Sequence, residues 1–222
     1  MTIVLLSGGL DSTALLAYIK ARPKIYGKDV RALSFHYGVR QDRELTAAKK
    51  ITALLKVPHS VFNLSDLTAL LPGCSLTDSS VPVPPGADSK LTGRINCVPN
   101  RNMILISIAT AWAVSLKFKM VAFGAWDTKR RTIYPDRRKG FIRSAEQTMQ
   151  LGNYHKVKLA IPFDTFSKAD IIRESMKNDA PLGLSWSCYD NKKQQCGKCF
   201  PCIDRKKAFK MAGVTDPTAY LE

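Results

Sequence analysis

Ile3-Val4-Leu5-Leu6-Ser7-Gly8-Gly9-Leu10-Asp11-Ser12 is the stretch whose reading decides the fold. Ile3 to Leu6 has the unbroken apolar character of a buried parallel strand, and after the glycines Leu10, Ala14, Leu15, Tyr18 and Ile19 recur at helical spacing. The stretch therefore reads as strand, tight turn and helix start. Gly8 and Gly9 are expected to take positive φ and let backbone N–H groups approach a ligand, with Ser12 or Asp11 capping the helix. An anion, phosphate foremost, suits such a turn. Two glycines between a strand and a helix mark only a turn; the flanking serines and aspartate make the stretch informative.

Outward from this unit, the chain keeps alternating. Val30 to Phe35 reads as a second strand, Glu44 to Lys56 as a second helix and Ser60 to Leu64 as a third strand. Further on, Asn102 to Lys117 is an apolar helix, Met120 to Gly124 a core strand, Gly140 to Leu151 a helix and Val157 to Ile161 a last strand. Ser167 is placed to cap a helix running to Lys177. Such alternation predicts an α/β fold with a parallel sheet covered by helices on both faces and ligands above the carboxyl ends of the strands. Residues 72–100, rich in proline and glycine, show no periodic segment and read as a lid loop. The expectation is one domain over 1–222, ending in a metal-binding segment over 186–222.

The 222 residues suit one sizeable core. No apolar run reaches the ~20 residues that span a bilayer, and no basic segment with an apolar core precedes the first strand, so no membrane association and a cytoplasmic location are expected. There are 34 Lys and Arg against 18 Asp and Glu, and the resulting charge of +16 favours anionic partners such as nucleotide, RNA or an acidic surface. The excess clusters at Lys129-Arg130-Arg131, Arg137-Arg138-Lys139 and Arg205-Lys206-Lys207.

Four of the six cysteines, Cys188, Cys196, Cys199 and Cys202, crowd together at spacings that suit a tetrahedral zinc site, with Gly197 easing the turn between ligands. Lys192, Lys193 and Lys198 would offset the charge of a zinc tetrathiolate. An iron–sulfur cluster and catalytic thiols remain alternative readings. Upstream, Trp126 to Arg138 follows a predicted strand at its carboxyl end. There Tyr134 is suited to stack on a purine-like ring and Asp136 to accept two N–H groups of a guanine-type edge.

Ser7-Gly8-Gly9-Leu10-Asp11-Ser12 resembles the pyrophosphate-binding loop of the ATP pyrophosphatases, which split ATP between its α and β phosphates; the Gly-Lys-Ser/Thr of a kinase-type loop is missing. Further motifs follow in order: Tyr37-Gly38-Val39-Arg40 with Glu44, Val98-Pro99-Asn100-Arg101-Asn102, Ile133-Tyr134-Pro135-Asp136, Lys168-Ala169-Asp170-Ile171 and the four cysteines introduced by Ser187-Cys188-Tyr189. Together they resemble the 7-cyano-7-deazaguanine synthase family over nearly the whole chain. The resemblance implies a Rossmann-like fold of the adenine nucleotide alpha hydrolase type. It also implies that ATP adenylates the carboxylate of 7-carboxy-7-deazaguanine, that ammonia displaces AMP, and that a second ATP drives dehydration of the amide to the nitrile.

In that scheme Ser7, Gly8, Gly9, Leu10, Asp11 and Ser12 bind ATP together with Tyr37 and Arg40. Asn102, Tyr134, Asp136 and Arg138 hold the deazapurine acid, while Lys168, Arg101 and Asp11 serve the chemistry. Structural Zn²⁺ on Cys188, Cys196, Cys199 and Cys202, Mg²⁺ with ATP, and a homodimer are implied as well. The chain departs from the family pattern near the substrate: Arg137 stands where a cysteine is expected, Gly140 where an acid is, Asn100 replaces a glycine and Val39 a glutamine. These changes keep open transfer of the adenylated acid to another amine, such as a protein amino group, and a nucleotide-binding regulator without turnover, while the strongly basic charge keeps open tRNA modification, which several ATP pyrophosphatases perform.

Overall fold

The computed structural model describes residues 1–37, 42–68, 70–78, 80–82, 95–127, 134–190 and 193–221. In chain order the elements are β1 (Thr2–Leu5), α1 (Leu10–Lys20), α2 (Pro23–Tyr26), β2 (Val30–His36), α3 (Asp42–Leu54), β3 (His59–Asn63) and α4 (Ser65–Thr68). They continue with α5 (Arg101–Ser115), β4 (Met120–Ala122), α6 (Lys139–Leu151), β5 (Lys158–Ala160), α7 (Lys168–Lys177) and α8 (Phe200–Ala212). Short 3₁₀ turns lie at Pro135–Arg137 and Leu182–Leu184.

Among the described residues five strands form one parallel sheet, in the order β3-β2-β1-β4-β5. β1 is central: Thr2 is in register with Val30 on one side and with Met120 on the other. Because side chains alternate along a strand, Val4 and Leu6 enter one apolar layer and Ile3 and Leu5 the other. The first layer packs Leu15, Leu16 and Ile19 of α1, Ile51 of α3, Ile171 and Ile172 of α7 and Phe209 of α8. The second packs Ile106, Ala109 and Ala113 of α5 with Ala145 and Met149 of α6. Each such large apolar side chain contributes about 1.5–3 kcal/mol on burial, so the unbroken apolar character of β1 is what holds helices on both faces.

The chain leaves β1 in one direction through α1 to β2, and β4 pairs on its other side. At such a reversal the two crossovers diverge and a crevice opens above the carboxyl end of the central strand. The Ser7–Ser12 loop emerges there.

The expected strands and helices are present, with ends shifted by a few residues at most. Ser167 caps α7 as expected: its Oγ accepts from the Asp170 N–H at 3.2 Å and Asp170 Oδ2 accepts from the Ser167 N–H at 3.0 Å. The helix α8 was not anticipated within 186–222, although Pro201 in its first turn and Gly213 just past its end, at φ +71°, are ordinary start and stop signals. The middle of the expected lid, residues 83–94, lies outside the described residues. Its flanks pack on each other, with the Ser75 N–H donating to the Ile95 carbonyl at 3.0 Å and both Cys74 and Ser75 buried. Among the described residues, no helix is long and apolar enough to cross a membrane.

Candidate active site

The loop after β1 is shaped by one glycine in particular. Gly8 has φ +86°, and a Cβ there would lie 2.1 Å from the Glu44 carbonyl oxygen and 2.9 Å from the Ala48 nitrogen. Glycine thus lets the loop lie against the first turns of α3. Gly9, expected to share the left-handed conformation, instead has φ −76° and serves as the N-cap of α1 without a side-chain bond. Neither Asp11 nor Ser12 caps that helix, because both lie inside its first turn. From there Ser12 folds back, as helical side chains do. Its Oγ accepts from the Ser7 N–H at 3.2 Å and lies 3.0 Å from Ser7 Oγ and 3.2 Å from the Gly9 carbonyl. The Ser7 hydroxyl in turn accepts from the Gly9 N–H at 3.2 Å.

Above this loop lies a cavity of about 300 Å³. Its lining includes Ser7, Gly9, Leu10, Asp11, Ser12, Tyr37, Arg101, Asn102, Tyr134 and Lys168. One group of side chains gathers around Asp11. Trp126 Nε1 donates to Asp11 Oδ2 at 2.9 Å, while Asp11 Oδ1 is buried with no hydrogen-bond partner among the described residues. Lys168 pairs with Asp204 at 2.5 Å, and Arg137 and Lys168 approach the Trp126 ring at 5.0 and 5.7 Å. Burial by itself would lower the Lys168 ammonium, but the Asp11 and Asp204 carboxylates reverse that and hold it above the ordinary lysine value.

A second group surrounds Arg101, whose guanidinium donates to the Tyr37 hydroxyl at 3.2 Å. Tyr37 foremost, then Asp136, keep Arg101 charged against the cost of its burial. Glu44 sits in the same group, and burial raises its carboxyl to about 7 although Arg101 counters part of the effect. Tyr189 is hydrogen-bonded to Tyr134 and held neutral, chiefly by burial.

Not every expected residue faces the cavity. Gly8 lies behind its wall, against α3. Asp136 was expected to present a free acceptor; its carboxylate instead faces the Asn102 N–H at 3.4 Å, and its carbonyl accepts from Asn102 Nδ2 at 3.3 Å. Asn102 is thereby fixed at the start of α5, 4% exposed. Arg138 is the N-cap residue of α6, and Arg137 rather than Arg138 lines the cavity. Arg40 falls outside the described residues, as do Gly38 and Val39 of its motif, Lys129 to Arg131, Ile133 and Lys192. Sequence reading assigned no role to Trp126, Trp186, Tyr189, Asn96, Glu44 or Arg137, all of which meet the cavity or its immediate frame. Glu44 and Tyr189 stood in family motifs, and Trp126 and Arg137 in the segment around Tyr134; Trp186 and Asn96 carried no signal and join the cavity by tertiary packing.

The four thiols of Cys188, Cys196, Cys199 and Cys202 have their sulfurs within 4.8 Å of one another, so the cluster could hold a metal ion. Backbone N–H groups already point at the sulfurs: Asp190 and Cys196 to Cys188 at 3.2 and 3.3 Å, Cys199 to Cys196 at 3.3 Å. Such donors favour thiolates, and four thiolates suit a soft or borderline cation. Gly197, at φ +69°, makes the turn between the second and third ligands. Two contacts join this cluster to the cavity: the Trp186 N–H donates to the Gly8 carbonyl at 2.9 Å, and its indole donates to the Cys188 carbonyl at 2.8 Å. Arg205, fully buried, braces the same segment through Ser185 Oγ at 2.6 Å and the Leu182 carbonyl at 3.0 Å, its charge balanced by Asp216 at 3.1 Å.

The model of the family described as queuosine biosynthesis protein QueC matches residues 1–213. A 7-cyano-7-deazaguanine synthase of Caldicellulosiruptor saccharolyticus is 39% identical over 218 residues, covering 98% of this chain and 94% of the relative. One of Allorhizobium ampelinum is 42% identical over 221 residues, covering 98% and 91%. Among solved structures, the U34-tRNA thiolase NcsA from Methanococcus maripaludis, solved with its [4Fe-4S] cluster, aligns with a TM-score of 0.54 at 16% identity. That alignment covers 95% of this chain and 65% of the thiolase. An NMN synthetase from Francisella tularensis aligns at 0.50 and 12% identity, covering 96% and 77%. These two likenesses show the fold.

Proposed function

The chain belongs to the QueC family, and from that premise we propose how its cavity converts 7-carboxy-7-deazaguanine to 7-cyano-7-deazaguanine with ATP, drawing nitrogen from ammonia. Whole-chain similarity to 7-cyano-7-deazaguanine synthases favours this product over transfer to a protein amino group or tRNA modification. The observation that carries the mechanism is the meeting of two desolvated cations, Lys168 and Arg101, at one cavity beside the Ser7–Ser12 loop.

The first step joins two anions, a carboxylate and a triphosphate, so positive charge has to be ready before they meet. The Ser7 hydroxyl and the free N–H groups of the first turn of α1 suit the pyrophosphate end, where the helix dipole also favours negative charge. Lys168, held protonated by two carboxylates, is placed to stabilise charge on the α-phosphate. Arg101, steadied by Tyr37, draws in the substrate carboxylate, and Tyr134 supplies a ring for the deazapurine. The orphaned Oδ1 of Asp11 fits a Mg²⁺ ion carried with ATP; such an ion screens phosphate charge when bound. The same groups serve the second adenylation, on the amide oxygen. In this reading the four thiols hold zinc, a closed tetrahedral site that fastens Trp186 and, through it, the loop.

The test is incubation with ATP, Mg²⁺, ammonium and 7-carboxy-7-deazaguanine, followed by mass spectrometry and phosphate analysis. The nitrile with AMP and pyrophosphate is expected. ADP and phosphate, or no AMP at all, would sink the mechanism.

A further inference from the structure

We propose that Glu44 is the ammonium site of the enzyme, capturing the cation beside the acyl adenylate and taking its proton so that neutral ammonia attacks. The inference deepens the functional reading above and rests on it.

Ammonia reaches a cell enzyme almost entirely as ammonium, whose nitrogen has no lone pair for attack. A cavity that adenylates a carboxylate and then aminates it therefore needs a group that attracts a small cation and accepts its proton. Lys168, Arg101 and Arg137 are cationic and unsuited. Asp11 accepts from Trp126 through Oδ2 and its Oδ1 is the group assigned above to Mg²⁺, while Asp204 is joined to Lys168 at 2.5 Å. Glu44 differs from both. It lines the cavity, and among the described residues no hydrogen bond or ion pair reaches its carboxyl.

Its position is fixed by the loop itself, because Gly8 packs directly on the Glu44 backbone. The residue is therefore anchored beside the Ser7–Ser12 loop, and its side chain lines the cavity that Arg101 and Lys168 also line. Among the described residues, Arg101 from α5 and Tyr189 from the C-terminal segment act on it electrostatically, and Tyr37, just past β2, lines the same cavity. Arg101 is engaged with Tyr37, and Tyr189 with Tyr134, which leaves Glu44 as the proton acceptor of the group. Burial places its titration near 7, where a base is still ionised and its conjugate acid still gives the proton up.

The step balances. One proton of ammonium passes to the Glu44 carboxylate, the freed lone pair forms the C–N bond, and the carbonyl π pair moves to oxygen. On collapse the bond between the acyl carbon and the AMP oxygen breaks, AMP leaves with the electron pair, and its phosphate takes the second nitrogen proton. Amide, AMP monoanion and protonated Glu44 result, with the net charge unchanged.

The test compares Glu44→Gln and Glu44→Asp with the wild type in two assays: acyl-adenylate formation read by ATP–pyrophosphate exchange without amine, and amide formation with ammonium or hydroxylamine. Hydroxylamine is neutral at pH 7 and needs no deprotonation before it attacks. Glu44→Gln is expected to lower kcat/KM for ammonium about a hundredfold or more, to keep exchange and hydroxylamine turnover within about threefold, and to leave an ammonium rate that climbs with the free-ammonia fraction past neutrality, where the wild-type rate levels above about 7. Glu44→Asp should restore part of the ammonium rate. Equal losses in exchange, hydroxylamine and ammonium assays would overturn the inference in favour of a packing role, and an unaltered ammonium rate in Glu44→Gln would overturn it outright. Absence of exchange in the wild type would instead overturn the functional reading, and the inference with it.

Discussion

The Trp186 N–H donates to the Gly8 carbonyl at 2.9 Å, while the indole of the same residue donates to the Cys188 carbonyl at 2.8 Å. One side chain and its backbone thus bridge the first residue of the thiol cluster and the glycine that shapes the Ser7–Ser12 loop. The contact follows from neither motif alone, and it gives the cluster a reason to lie beside the cavity.

Removal of the metal is accordingly expected to loosen the loop as well as the C-terminal segment. A Cys199→Ser variant, or the wild type treated with a strong chelator, should bind ATP at least about tenfold more weakly, and should lose thermal stability because metal binding and local folding are linked. Calorimetric titration with ATP checks this. Unchanged ATP affinity in the metal-free protein would break the proposed link through Trp186.

Gly8→Ala should be far more damaging than Gly9→Ala. An alanine at φ +86° costs about 1–2 kcal/mol in backbone strain alone, and its Cβ would meet the Glu44 carbonyl. Gly9 is extended at φ −76°, where any residue fits, and its Cβ would find Ser7 Oγ at 3.2 Å. Thermal unfolding of the two variants tests the contrast: a large loss of stability for the first and a small one for the second.

Lys168→Met is expected to lower the rate of AMP formation about 10²–10³-fold, the usual effect of removing one preorganised donor from developing charge. ATP affinity should fall much less, because the loop and Asp11 remain. Rapid-quench measurement of AMP beside equilibrium ATP binding separates the two effects. Equal losses in both would make Lys168 a binding residue only.

Glu44 also predicts a pH dependence of stability. Its folded value of about 7 lies above the unperturbed 4.5, so the folded chain binds the extra proton between these limits. Stability therefore falls as pH rises from about 4.5 to 7 and then levels, by an order of 3 kcal/mol for this group alone. Glu44→Gln removes that loss, so the variant should gain stability relative to the wild type as pH climbs through this window. Denaturant titrations at pH 5 and pH 8 show whether the difference grows, and they establish that any loss of amination is not a loss of fold.

The sequence by itself determined the architecture and the kind of chemistry. An apolar run at Ile3–Leu6, a glycine turn and a periodic helix, repeated along the chain, define a parallel α/β sheet because burial on two faces requires that pattern. The thiol spacing likewise announced a metal-sized cluster, and the ordered motifs announced the family. What these signals share is locality: each is carried by residues a few positions apart. Contacts between distant segments were decided only by the tertiary structure. Trp126 meets Asp11 across 115 residues, Lys168 meets Asp204 across 36, and Trp186 reaches back to Gly8. The same limit explains where side chains lie otherwise than their local sequence suggests. Asp136 faces α5 because the Pro135–Arg137 turn packs there, and Ser12 ties the loop because it lies inside the helix it was expected to cap. Glu44 shows both sides of the division. Its motif marked it, but only the tertiary packing that buries it beside Arg101 raised its carboxyl to about 7.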